Sequence, residues 1–307
     1  MMISNILYCI LISLSIPFSA ITLHRTAQNG EVITLIHSLH FTCHVIVTKM
    51  EGVRTAVHRK QERGKGAVGW KEYLEQSCTG CKNFVLLGEA GSGKSELALE
   101  LAVHLAQCQP LPVHFFDLDM TKPLFRSRDL AQEMEALGIV FHYEKQFMDA
   151  PTQVGGVMRL LRDEECCVVM DVGGDANGAR AVGGYAPALG TGKTAIYYIV
   201  NSYRPWSCDI DHIDGTLSRI LQVSHLRLEN LRFVANPNNG VFTTQQEFEE
   251  GLLKTRQMLE PYCRLEFAAV SDALYADMTE PNELPVLPLA LRLTYPWLRE
   301  EDPRAER

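Results

Sequence analysis

Eight residues, Gly88-Glu89-Ala90-Gly91-Ser92-Gly93-Lys94-Ser95, constrain this chain more than any other stretch. They satisfy Gly-x4-Gly-Lys-Ser in full. The apolar run Asn83-Phe-Val-Leu-Leu87 precedes them and the apolar-periodic stretch Ser95 to Gln107 follows. Strand, glycine turn and helix in that order are the context a phosphate-binding loop requires. Glycines let successive backbone N–H groups turn inward around phosphate oxygens, at the positive end of a helix. Lys94 is expected to reach the β- and γ-phosphates of ATP, and Ser95 to supply a hydroxyl to Mg²⁺. Gly88, Gly91, Ser92, Gly93, Lys94 and Ser95 are thus the expected cradle, with ATP and Mg²⁺ as cofactors. The bland alternative is a glycine-rich strand-to-helix turn that holds nothing.

The pattern from residue 83 onward supports that context. Strands are expected at 83–87, 112–119, 139–143, 166–171, 195–201, 231–235 and 265–270. Between them lie helical patterns at 95–107, 128–137, 153–162, 176–188, 212–223 and 244–259. Strands alternating with helices imply an α/β fold with a mostly parallel sheet and helices on both faces. The strands are continuous apolar runs such as Cys166-Cys-Val-Val-Met170, as burial on two sides demands. The expected organisation is an apolar amino-terminal extension (1–49), a basic entry segment with a helix (50–82), a P-loop NTPase domain (83–298) and a charged tail (299–307).

Asp171 ends one of these strands, where ligands bind in open α/β sheets. It is the natural Walker B carboxylate, a metal-shell residue alongside Ser95. Gly173 and Gly174 after it would let backbone approach the γ-phosphate; the competing reading is an Asp that caps the next helix. Gly190-Thr191-Gly192-Lys193-Thr194 resembles a second phosphate loop, but Pro187 replaces the first glycine. A helix precedes it and a strand follows, so it reads as a helix-to-strand turn.

Composition narrows the classes. At 307 residues, with 46% hydrophobic and 21% charged residues, the chain is ordinarily globular. A net charge of -8 argues against a general nucleic-acid-binding surface. Nine irregularly spaced cysteines do not form a secreted disulfide pattern and favour a reducing, cytoplasmic setting. Residues 6–22 are apolar and uncharged, which leaves three expectations: a membrane anchor with the domain in the cytoplasm, a cleaved signal, or a spurious extension before a start at Met50. Cys78-Thr-Gly-Cys81 supplies only two metal ligands. His37, His40, Cys43 and His44 imitate a ligand cluster within the extension.

Over residues 83 to 270 the chain resembles the MinD/ParA-type ATPases of the SIMIBI class, a group that includes the nitrogenase iron protein and dethiobiotin synthetase. The resemblance rests on the P-loop, Asp117-Leu-Asp119, Asp171-Val-Gly-Gly174 and Val234-Ala-Asn236. It implies that Asp119 positions the attacking water and that Asn236 contacts adenine. It departs at Glu89, where the family carries a lysine that reaches across a nucleotide-sandwich dimer. Asn236 is followed by Pro237-Asn238-Asn239 rather than by a guanine-reading Asn-Lys-x-Asp.

The leading expectation is an ATPase that couples nucleotide state to an unidentified protein partner, with a homodimer also compatible. Lys94, Asp119 and Asp171 are the catalytic candidates; Gly174 and the loop after Asp119 are the parts released on hydrolysis. The alternative is a small-molecule kinase or ATP-dependent ligase, in which Lys122, Arg126 and Arg128 hold an acidic substrate. Arg204 is a further candidate ligand contact. A third reading is a nucleotide-binding switch without turnover.

Overall fold

The computed structural model describes residues 22–28, 31–37, 69–119, 127–143, 156–278 and 284–293. The chain divides into two units, Met1–Gly66 and Ala67–Arg307. In the first, β1 (Thr22–Gln28) and β2 (Glu31–His37) pair antiparallel, with Thr22 opposite His37 and Gln28 opposite Glu31. Of the apolar stretch 6–22, residues 6–21 lie outside the described residues, as do His40, Cys43 and His44. No helix among the described residues is long and apolar enough to cross a membrane.

The second unit begins with α1 (Trp70–Ser77), β3 (Asn83–Gly88), α2 (Lys94–Cys108) and β4 (Val113–Leu118). A 3-10 turn (Ser127–Leu130), α3 (Ala131–Ala136), β5 (Ile139–His142), α4 (Val157–Arg162) and β6 (Cys167–Val172) follow. Next come α5 (Ala176–Gly183), α6 (Ala186–Leu189), β7 (Thr194–Val200), α7 (Ile210–Ser224) and β8 (Leu231–Ala235). The unit ends with α8 (Gln245–Leu259), β9 (Leu265–Ser271), α9 (Asp272–Asp277) and β10 (Val286–Leu289). Its eight strands form one sheet in the order β10-β9-β8-β7-β3-β6-β4-β5, with every neighbouring pair parallel. This is the α/β architecture, a parallel sheet with helices on both faces, expected from the sequence.

Strand alternation distributes the core. Phe84 and Leu86 of β3 point to one face with Phe115, Val169, Tyr197, Ile199 and Phe267, where α1, α2 and α3 cover them. Val85 and Leu87 point to the other with Phe116, Met170, Ile196 and Tyr198, where α4 to α9 pack. The period-2 geometry of a strand imposes this division, and two covered faces explain the unbroken apolar runs. β3 lies between β6 and β7, and the chain crosses from one side of β3 to the other between those two strands. The loop after β3 therefore sits at a topological switch point, where open α/β sheets leave a crevice.

Several local readings shift. The helix expected at 128–137 opens as the 3-10 turn, and the one expected at 176–188 breaks at Gly183-Gly184 into α5 and α6. A Cβ on Gly183 would lie 2.7 Å from the Val223 carbonyl oxygen, so the residue that ends α5 is the one that lets it meet α7. β10 carries Pro288, which reads against a strand; it is tolerated because β10 is at the sheet edge. The Pro288 carbonyl instead accepts from Trp70 Nε1 at 2.7 Å, tying α1 to that edge.

At the other edge, His114 Nδ1 of β4 and His142 Nε2 of β5 lie 2.9 Å apart, with the rings stacked. Burial holds both imidazoles below their ordinary value, with Asp163 partly opposing and Arg159 reinforcing this at His114. The native state then binds protons less readily than the unfolded chain. Stability is full above the unfolded imidazole value of about 6.5 and is lost as pH falls through it toward the folded values. Urea midpoints are expected to drop between pH 7.5 and 5.5, and His142→Gln to flatten that slope. An equal slope in the variant would assign the effect elsewhere.

Candidate functional site

β3 delivers the chain to Gly88, and α2 departs at Lys94. Gly93 is the N-cap of α2 with φ 88°, a left-handed conformation that glycine adopts without strain. It must also be glycine for space, because a Cβ there would lie 2.0 Å from Asn236 Nδ2. That same amide donates to the Ser92 carbonyl at 2.8 Å. Asn236, at the end of β8, thus clamps the last turn of the loop.

Three strand ends converge on the loop. Lys94 Nζ stands 3.5 Å from Asp119 Oδ2, with both side chains almost wholly buried. Asp171 lies in register with Leu86 of β3 on one side and Asp117 of β4 on the other. Ser127 Oγ donates to Asp171 Oδ2 at 2.6 Å. Asp117 is structural: it accepts from the Asp119 amide at 3.1 Å, and from the Arg128 amide and Nε at 3.1 and 2.8 Å. Arg128 Nη2 donates further to the Asp119 carbonyl at 2.9 Å. Burial, and then the Asp171 charge, push the Asp117 carboxyl up, while Arg128 opposes the shift. Arg128 therefore holds the end of β4 in place. Lys122 and Arg126 lie outside the described residues.

The rear of the loop is braced from β7. Asn201 Nδ2 donates to the Asn238 carbonyl at 2.8 Å, and Arg204 Nε donates to the Gly91 carbonyl at 3.1 Å. Arg204 is thus bonded to the loop backbone. Glu89 is 2% exposed and turned inward, where its Oε1 accepts from Ser207 Oγ at 2.5 Å. Burial raises its carboxyl above the usual range, with the Ser207 bond partly offsetting this. The residue that departs from the MinD/ParA pattern is an internal brace. Ser127 and Ser207 carried no signal in the sequence, since each acts only through a partner 44 or 118 residues away.

The residues present fit a Mg²⁺-nucleotide. Six buried side-chain N or O atoms lack a hydrogen-bond partner among the described residues, and four of them belong to this site: Ser92 Oγ, Asp171 Oδ1, Asn236 Oδ1 and Glu89 Oε2. Each such atom costs about 1–3 kcal/mol when left unmade. Their concentration at one loop marks a place built for a further group. Ser95 and Asp171 are hard oxygen donors of the kind Mg²⁺ takes, and Lys94 is a buried cation for phosphate charge.

The other sequence candidates fall elsewhere. Gly190 caps α6 and β7 starts at Thr194, so the second glycine-lysine segment is a helix-to-strand turn. It lies where β7 begins, whereas the P-loop follows the end of the parallel strand β3. Lys193 is held there by Glu164 Oε1 at 2.5 Å. Cys78 and Cys81 are buried beside Tyr197 and the Arg232 guanidinium, whose nitrogens lie 3.9 Å from each sulfur. No third metal-ligating side chain joins them among the described residues.

No protein-family model matches the chain. No curated protein matches it in sequence. Solved structures similar to it include chloroplast FtsY from Physcomitrella patens, at TM-score 0.44 and 13% identity over 66% of this chain and 62% of that one. The signal recognition particle receptor FtsY from Elizabethkingia anophelis in complex with GDP gives TM-score 0.43 and 12% identity over 73% and 63%. The 54 kDa signal recognition particle protein from Aeropyrum pernix K1 in complex with GDP gives TM-score 0.38 and 17% identity over 73% and 53%. The chain spans between 53% and 63% of the length of these three proteins.

Proposed function

We propose that this protein is a Mg²⁺-dependent ATPase of the MinD/ParA type, in which nucleotide state switches an interaction with a protein partner. The observation that carries this reading is the set of four unpartnered buried polar atoms around the P-loop, beside the buried Lys94–Asp119 pair. Lys94 in this arrangement has a carboxylate partner that phosphate oxygens can replace. Asp119, beside Lys94 at the end of β4, is the carboxylate that orients a water molecule. Ser95 and Asp171 hold Mg²⁺, which supplies charge neutralisation for the β- and γ-phosphates. Ser127 keeps Asp171 aimed and joins it to the segment that follows residues 120–126, so a change at the metal-binding carboxylate reaches that segment directly. Adenine is proposed over guanine because the residues after β8 lack the Asn-Lys-x-Asp pattern.

The test compares equilibrium binding of ATP and GTP with Mg²⁺, followed by phosphate release. ATP is expected to bind more tightly and to turn over slowly without a partner. Asp171→Asn keeps the shape but removes the charge, and is expected to lower phosphate release at least about 100-fold. Tighter binding of GTP would overturn the adenine assignment, and undiminished turnover in Asp171→Asn would overturn the role of Asp171. A burst of ADP that requires a small acidic acceptor would place the protein among kinases or ligases instead.

A further inference from the structure

A second constellation lies immediately beyond the brace that holds Glu89. After β7 the chain forms a 3-10 turn (Pro205–Ser207) and enters α7 with Asp209 as N-cap. Cys208 Sγ, an Asp209 carboxylate oxygen and a His212 ring nitrogen all lie within 4.8 Å of one another, the one such group among the described residues. Cys208 Sγ is 3.6 Å from Asp209 Oδ2, and His212 Nδ1 is 2.8 Å from both Asp209 oxygens.

We propose that Cys208, Asp209 and His212 form a binding site for a borderline transition-metal dication of the Zn²⁺ or Co²⁺ class. Tetrahedral zinc bond lengths place a sulfur and an oxygen ligand about 3.6 Å apart, and a nitrogen and an oxygen ligand about 3.4 Å apart. The sulfur–oxygen separation already matches. Entry of the ion requires that the His212–Asp209 hydrogen bond open by about 0.6 Å, the difference from that tetrahedral spacing, and that Cys208 Sγ give up its bond to the Pro205 carbonyl at 3.0 Å. A sulfur, a nitrogen and an oxygen together favour such an ion over Mg²⁺ or Ca²⁺, which take oxygen alone. Cys208 is half-buried and the other two are exposed, so the remaining position faces solvent and takes water or a ligand from outside. Binding forms the metal–sulfur bond and releases the thiol proton to solvent. The ion would lock the turn from Pro205 to His212, and with it Ser207, which holds Glu89 of the P-loop.

The test is titration of the full chain, free of nucleotide, with Co²⁺. The expected result is a thiolate-to-cobalt charge-transfer band with ligand-field bands of tetrahedral intensity. Cys208→Ser, nearly isosteric at a surface position, is expected to abolish the charge-transfer band. His212→Ala is expected to weaken Co²⁺ at least about 10-fold, the lower bound for losing even an outer partner of a metal site. The Cys78→Ser/Cys81→Ser variant is expected to keep the band. Absence of any band, or a band that survives Cys208→Ser or disappears with Cys78 and Cys81, would overturn the proposal. Because no nucleotide is present, this outcome is independent of the ATPase reading.

Discussion

Lys94→Ala is expected to weaken Mg²⁺-ATP binding by about 2–5 kcal/mol, roughly 30-fold at the least, the cost of truncating one partner of a buried charge pair. The side chain is 1% exposed and stands against Asp119, so its removal has two consequences. The phosphates lose their buried cation, and the buried Asp119 carboxylate loses its ion pair with Lys94. The second effect lowers stability without nucleotide, so thermal unfolding must accompany the binding titration. Lys193→Ala provides the contrast. Lys193 belongs to the similar glycine-lysine segment, is half exposed, and meets Glu164 in a surface pair worth little. Its affinity is expected to equal that of the parent protein. If Lys94→Ala in folded protein binds ATP as tightly as the parent does, the phosphate site lies elsewhere.

The second large effect is expected at Gly174. A Cβ there would lie 2.6 Å from the Ala90 amide nitrogen and 2.8 Å from the Glu89 carbonyl carbon. Both neighbours are backbone of the P-loop, so neither can rotate away. Gly174→Ala is expected to cost about 1–3 kcal/mol of stability, as overpacking does, and to displace the loop and so reduce ATP affinity as well. Gly192→Ala, where nothing lies within 4 Å of the added carbon, is expected to change stability by less than about 0.5 kcal/mol. The two alanines, measured by urea denaturation, separate a glycine required by close approach from one in an open turn. Equal and small effects at both would mean that the strand β6 turn does not press on the loop.

The parts of this site visible in the sequence were those whose chemistry is local. Gly88 to Ser95 is a contiguous motif, and Asp171 stands out because five apolar residues lead into it. Asp119 and Asn236 stood out through their placement at strand ends. Each is indeed at the P-loop, though Asp119 pairs with Lys94 and Asn236 bonds the Ser92 carbonyl. Ser127, Asn201 and Ser207 were not legible in this way. A serine hydroxyl or an asparagine amide is common on any surface, and only a distant partner gives it a role. Arg128 was legible as a cation near the site but not as a brace for Asp117, which depends on how the chain returns after residue 126.

The same division holds for the fold. Alternating apolar runs and helical periodicity dictated a parallel sheet covered on both faces, because each strand must bury both of its sides. They did not dictate strand order, since any buried run can pair with any other. They also left out β10, whose Pro288 and short length hide it from pattern reading. The residues by themselves determined that Gly88 to Ser95 would form a glycine turn between strand and helix, because the apolar run before it, the helical periodicity after it and the glycines between them are all local. Tertiary structure alone decided what surrounds that turn: Glu89 turned inward to Ser207, Asn236 against Gly93, and Gly174 against Ala90. Those contacts join residues separated by 84 to 143 positions, counting from 174 − 90 to 236 − 93, and only the packed sheet brings them together.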